Sequence, residues 1–584
     1  MKRTRRAAFV LSMMAMSFLT TGHAADDPAD KTSTTELAKL KAQLDEQQKQ
    51  IEQLSAMLAQ QKKLLDQMTS TAAASPAPAS TAVTSALADA APASAAPAPA
   101  ETAAASPAPT HMLPNLGDVA SSSPMLPPPP PARAPRVLDP QVPAGEPPSP
   151  LQLKIGDATL TPVGFMDLTG VWRNENAGSG IGSSFGSVPL ANASTAHLSE
   201  FRFSPQNSRF GFRFDANVKG AHVIGYNEMD FLGTSGSNGI GVTNGAFVPR
   251  IRLYWVDVRK GAIEFLAGQS WSLLTPSRKG ISPLPGDIFY SQVMDVNYLA
   301  GLTWDRQPGL RLVYHPSDTV AIGFAAENPN QYTGGSAGGS SITAPSASAL
   351  SGLIGTQFDN ASTGAPLSTP NLTPDFIAKA AFDPVSRVHF EFNGIERNFK
   401  DWNPTTNVKF TKAGAGGSFN ANLEVVKNFR LISNNYWSDG GGRYIFGQAP
   451  DFILRSDGSL SPVHAGGFNE GFEANLSSKF LLYAYYGDIY IDKNVALDAN
   501  GTSLIGYGQR GGSQDRNIQE FTIGYVQTFW KDAKYGALSM ITQYEWLNRY
   551  LWYVATGAPK GGHDNTIYVD IRYTLPGSAP TIGK

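Results

Sequence analysis

The 584-residue chain contains no cysteine, which excludes disulfides and thiolate chemistry and suits an oxidising compartment. Charge is scarce: Asp, Glu, Lys and Arg make up 16% of residues, with a formal net charge of −2. No overall basic footprint points to nucleic acid. No apolar run approaches the roughly 18 residues of a mature transmembrane helix. That absence excludes helical spans only, because a barrel alternates apolar and polar positions and escapes hydropathy averaging. The eight histidines show no metal-ligand spacing, and no metal or cofactor is expected.

What is present falls into segments of different physical character. "MKRTRRAAFVLSMMAMSFLTTGHA" has a basic start, a short apolar core and small residues Gly22 and Ala24 before a cleavage point. It reads as a signal peptide, 1–24, of an exported protein. Over 35–70 a seven-residue rhythm places Leu37, Leu44, Ile51, Leu58 and Leu65 in one column. Leu40, Gln47, Leu54, Gln61 and Met68 form the other. Both columns lie on one helical seam that needs another helix, so a homotypic parallel coiled coil is expected, dimeric or trimeric. Residues 71–150 are rich in Ala, Pro and Ser, cannot bury a core, and read as a disordered linker.

From 151 to 584 the pattern becomes period two, with frequent aromatics and Gly/Asn/Ser breaks. "NTIYVDIRYTL" sets Ile567, Val569, Ile571, Tyr573 and Leu575 opposite Asp570 and Arg572. Alternation this regular means that the two faces of a sheet meet different media. Expected strands are 159–172, 197–214, 221–233, 249–260, 262–274, 301–315, 319–328, 375–384, 386–400 and 408–426, then 429–442, 468–478, 479–493, 519–530, 536–552 and 563–575. The second and sixth are joined across phase changes near Pro205 and Pro308; without those joins, sixteen strands become eighteen. Connections alternate strictly between short and long, as in a transmembrane barrel with tight periplasmic turns and large external loops. The expected fold is all-β: a 16-stranded antiparallel transmembrane β-barrel with an N-terminal periplasmic helix. In "PRIRLYWVDVRKG", Asp257 falls on the face of Ile251, Leu253 and Trp255, which implies a periplasmic-interface position or a slip of phase.

The third long connection lies in "LAGQSWSLLTPSRKGISPLPGDIFYSQVMDVNYLAG". With the signal peptide, "SRFGFRFD" in the second strand and the strand count, the chain resembles a general bacterial porin. The heptad helix, the Pro/Ala linker, "LAGQSWSLLTP" and "PDFIAKAAFDP…VHFEFNGIERNF" resemble the DcaP-like trimeric porins. Phosphate-selective O/P-type porins are similar in outline. The resemblance implies a homotrimer in the Gram-negative outer membrane and a third loop, about 272–297, folded into the lumen and narrowing it. Pro276, Pro283 and Pro285 would stiffen that loop, and Gly280 and Gly286 would let it bend. Arg278 and Lys279 lie on it, and Asp287 and Asp295 could face a basic wall formed by Arg209, Arg213, Arg250, Arg252 and Arg311. Such a wall is either a selectivity row favouring small anions, carboxylates among them, or a solvated network paired with Glu228, Asp230 and Asp287.

The expected function is passive diffusion of small polar or anionic solutes, with outer-membrane lipid and further copies of the chain as partners. A barrel that anchors the cell wall through its coiled coil is the alternative. An outer-membrane hydrolase is the weakest reading: "GSSFG", Gly182 to Gly186, matches G-x-S-x-G but lacks the strand-to-helix elbow that gives the motif meaning.

Overall fold

The computed structural model describes residues 149–233, 247–290, 292–360 and 369–576. The signal peptide, the heptad positions and nearly all of the linker lie outside these residues. Sixteen strands form one antiparallel closed sheet. The first eight are β1 (Ala158–Arg173), β2 (Glu200–Ser204 and Arg209–Val218), β3 (Ala221–Gly233), β4 (Val248–Lys260), β5 (Ile263–Trp271), β6 (Arg306–Ser317), β7 (Val320–Glu327) and β8 (Asp375–Val385). The remainder are β9 (Val388–Asn403), β10 (Val408–Val426), β11 (Phe429–Asp439), β12 (His464–Ser477), β13 (Phe480–Ile491), β14 (Asp515–Asp532), β15 (Gly536–Leu551) and β16 (Gly561–Thr574). Each pairs with its sequence neighbours, and β16 pairs back onto β1 from Phe165↔Thr574 to Arg173↔Thr566. Closure leaves no unpaired strand edge, the condition for a sheet surrounded by oil. At the seam Ser149 Oγ donates to the Pro576 carbonyl at 2.8 Å, and Leu153–Ile155 folds back on the start of β1.

The barrel is apolar outside and polar inside. Met166, Phe203 and Tyr254 are 63%, 61% and 64% exposed on the outer face, whereas Asp230 and Arg252 are 0% and 1% exposed inside. Apolar exposure on this scale fits a lipid surround. The short turns follow their sequences: Lys219 and Gly220 both take positive φ between β2 and β3, as a two-residue hairpin twisting with its strands requires.

The phase problem in β4 is resolved by a bulge. Glu228 pairs with Leu253 and Met229 with Ile251, leaving Arg252 as the extra residue. Arg252 and Leu253 therefore both point inward, Trp255 and Asp257 follow inward, and Ile251 faces out. The chain breaks at Pro205 as expected, but β6 runs unbroken through Pro308. β6 also starts at Arg306 rather than near 301, and β12 starts at His464 rather than 468.

Candidate lumen site

The long connection after β5 (Ser272 to Asp305) carries too many apolar side chains to lie in water. Leu273, Leu274 and Ile281 pack with Val313, Ala321, Ala325, Ile377 and Ala381, inward residues of β6, β7 and β8. Small residues on that wall make the room: a Cβ at Gly323 would sit 3.0 Å from Ile281 Cδ1. Further along, Ile288, Phe289, Tyr290, Val293 and Met294 join Leu481, Tyr483, Tyr485, Val526, Ile541 and Tyr568, which belong to β13–β16. The loop thus touches two different parts of the inner wall, and burial of its own apolar residues holds it there.

Polar contacts fix its position. Arg278 Nη1 and Nη2 donate to Glu473 on β12 at 2.8 and 2.7 Å, and Gln292 and Tyr485 also donate to that carboxylate. The Arg278 Nε donates to the Ile288 carbonyl at 3.1 Å. Burial would lower the Arg278 pKa, but Glu473 outweighs it and holds the guanidinium above its ordinary value. The Met294 amide donates to Gln543 at 2.8 Å, and the Ala300 amide to Glu520 at 2.7 Å. Asp295 accepts from the Ser183 and Asn297 amides, both at 2.7 Å, and from the Tyr568 hydroxyl at 3.1 Å. Burial raises the Asp295 pKa despite those bonds. Lys279 is half-buried on the loop, and Asp287 accepts the Ser282 hydroxyl at 2.6 Å.

The other expected residues are inward, and most are paired. Arg209 lies 3.7 Å from Glu228, Arg213 is 2.7 Å from Asp215, and Arg250 is 2.7 Å from Asp230. Arg252 reaches Glu228 at 2.8 Å and Asp230 at 2.9 Å, and its Nη2 donates to Tyr298 of the loop at 3.2 Å. Arg311 donates to the Trp271 carbonyl at 2.6 Å. Arg209, Arg213, Arg250, Arg252 and Arg311 all stand on the inner face of their strands, and carboxylates lie beside the first four.

Several contributors had no sequence signal of their own. Glu473, the receptor for Arg278, stands among glycines and alanines 195 positions away. Two further loops also turn inward. Leu350, Leu353 and Phe358 of the connection after β7 pack with Phe452, Ile453 and Leu454 of the connection after β11. Asp451 from the latter loop meets Arg397 of β9 at 2.6 Å, and Asp375 of β8 meets Arg397 at 3.0 Å and Arg443 at 3.3 Å. Scattered large apolar residues in otherwise Gly/Ser-rich loops were the available clue. The G-x-S-x-G stretch lies on the loop after β1, where Phe185–Ser187 form a short 3-10 turn and Phe185 packs edge-on to Phe446 at 5.6 Å.

No family model matches the chain, and no curated protein matches it by sequence. Among solved structures the outer membrane channel DcaP of Acinetobacter baumannii is 16% identical; the match covers 72% of this chain and 98% of that one, with a TM-score of 0.51. The anion-selective porin of Comamonas acidovorans is 12% identical over 71% of this chain and 99% of its own, at 0.40. A Salmonella typhi OmpF complex with daunomycin is 11% identical over 72% and 99%, at 0.39. The likeness to DcaP is one of fold: the chain forms a closed 16-stranded antiparallel barrel, the fold that its resemblance to the DcaP-like proteins implied.

Proposed function

We propose that this protein is an outer-membrane porin through which small hydrophilic solutes diffuse passively, with a mild preference for anions, small carboxylates among them. The observation that carries the reading is the closed barrel with polar groups inside and aromatic and aliphatic groups outside. The Ser272–Asn297 stretch is the constriction, since it ties itself to Glu473, Gln543 and Tyr568 on the inner wall. Arginines Arg209, Arg213, Arg250, Arg252, Arg278 and Arg311 supply the positive field, reduced by the carboxylates beside most of them. The chain assembles as a homotrimer, with 35–70 as a periplasmic coiled coil joined by 71–150, a segment that could touch the cell wall.

The test is the reversal potential of the refolded protein in planar bilayers under a potassium chloride gradient. Anion preference that falls in Arg209→Ala, Arg250→Ala and Arg252→Ala supports the proposal. Cation preference, or selectivity unchanged by all three substitutions, refutes the anion assignment.

A further inference from the structure

Ile251, Gln269, Trp304, Asp305, Arg306, Ser336, Phe446 and Gly447 line an open cleft of about 260 Å³, with the outward Ile251 at its rim. It lies where β5 ends and β6 begins, on the long-loop side of the barrel. Arg306 differs from the other inward arginines. Arg209, Arg213, Arg250, Arg252, Arg278, Arg397 and Arg443 each have a carboxylate within ion-pair distance, and Arg311 donates to a backbone carbonyl. Among the described residues Arg306 has neither: its guanidinium makes no ion pair, and its shielded Nη1 has no hydrogen-bond partner. The group lies over the Trp271 and Trp304 rings at 5.3 and 5.5 Å. The indole N–H groups of Trp271 and Trp304 also lack acceptors. A half-buried guanidinium whose shielded Nη1 has no partner, beside two unused indole donors, carries a desolvation cost, and an arriving anion relieves it.

The remaining walls restrict which anion fits. Trp304 and Phe446 both line the cleft and are stacked on each other with centroids 5.0 Å apart. Asp305 also lines it, its carboxylate already accepting from the Arg306 amide at 2.8 Å and from Gln307 Nε2 at 2.9 Å. A second negative charge on the guest would face Asp305 and be repelled. The volume falls below the lower end of drug-sized pockets, roughly 300 Å³, so the guest is small.

We infer that this cleft binds a small monocarboxylate with a planar apolar body, the carboxylate on Arg306 and the body against Trp304 and Phe446. The inference deepens the porin reading by giving the channel a solute site near its long-loop mouth. It adds a ligand class: one negative charge and one flat ring.

Calorimetric titration of the detergent-purified full chain with sodium benzoate tests the site. Expected is one saturable site, weakened roughly tenfold to a hundredfold in Arg306→Gln, partly restored in Arg306→Lys, and unchanged in Arg455→Gln, an arginine elsewhere that donates to Ser461. Succinate and acetate should bind at least about tenfold more weakly than benzoate. Lack of saturable benzoate binding, equal binding by Arg306→Gln, or equal affinity for succinate or acetate overturns the assignment. Should Arg306→Gln not fold, Arg306→Lys and the ligand series still decide. The titration needs no current: benzoate binding by a protein that conducts nothing removes the channel reading and keeps the site, and a conducting protein that ignores benzoate does the reverse.

Discussion

Arg278 and Glu473, 195 positions apart, meet in a two-pronged ion pair with N–O distances of 2.8 and 2.7 Å. One belongs to the inward loop and the other to β12, and both are buried. Cutting this pair leaves a charge without its partner inside the barrel. Arg278→Ala or Glu473→Ala should each cost about 3–5 kcal/mol and free the loop, raising single-channel conductance and its noise. Thermal unfolding in detergent and bilayer recordings check both halves. A variant with unchanged melting and unchanged current would show that the pair does not seat the loop.

The bulge in β4 gives a sharper test of register. Arg252 is the extra residue, so deleting it restores unbroken alternation: Arg250 inward, Ile251 outward, Leu253 inward. That deletion should still give a folded barrel, lacking only the ion pairs to Glu228 and Asp230. Deleting Tyr254 instead leaves Trp255 and Asp257 on the oil side, because a one-residue slip reverses every following side chain. Heat-modifiable gel mobility should report a folded barrel for the first deletion and none for the second.

Asp295 links stability to pH. Its carboxyl titrates above the ordinary value in the folded protein because burial disfavours the charge. The unfolded chain releases that proton near pH 4, while the folded protein retains it, so this group's contribution to stability falls as pH rises from about 4 towards the raised folded value. Asp295→Asn removes that loss. The melting temperature of the variant, relative to the unsubstituted protein, should climb across this interval, and a difference that stays flat or shrinks contradicts the assignment.

Gly301 marks where the inward loop presses backbone to backbone on the wall. Its φ is +85°, and a Cβ there would lie 2.4 Å from the Asp488 carbonyl and 2.9 Å from the Phe468 carbonyl. Gly301→Ala should destabilise by more than the ~1 kcal/mol of an ordinary glycine replacement, and protease accessibility of the loop should rise. Gly501→Ala also replaces a glycine of positive φ, but nothing lies within 4 Å of the added methyl, so its loop should resist protease as before.

Strand number was legible in the sequence because alternation and the parity of connection lengths are both consequences of a wall between oil and water. "VHFEFNGIER" illustrates this: Phe390 and Phe392 face out while His389, Glu391 and Arg397 face in. Boundaries were less legible where side chains vanish or alternation continues off the sheet. Gly466 and Gly467 hide the start of β12, and Leu302 and Trp304 keep period two while belonging to the inward loop. The arginine face followed from phase alone. Their partners did not, since Glu473, Asp375 and Asp451 are brought near by closure and by loops, through contacts with no local trace. Arg306 was invisible for the same reason: what distinguishes it is the lack of a partner among the described residues, a property of three dimensions.

The hydrogen bond from Ser149 to Pro576 sits at the junction where β1 and β16 close the cylinder. Tension on the chain upstream of Ser149 therefore enters the barrel at its first-to-last strand joint. That joint carries nine cross-strand residue pairs from Phe165↔Thr574 to Arg173↔Thr566, so opening the cylinder there means separating all nine as well as the Ser149 bond.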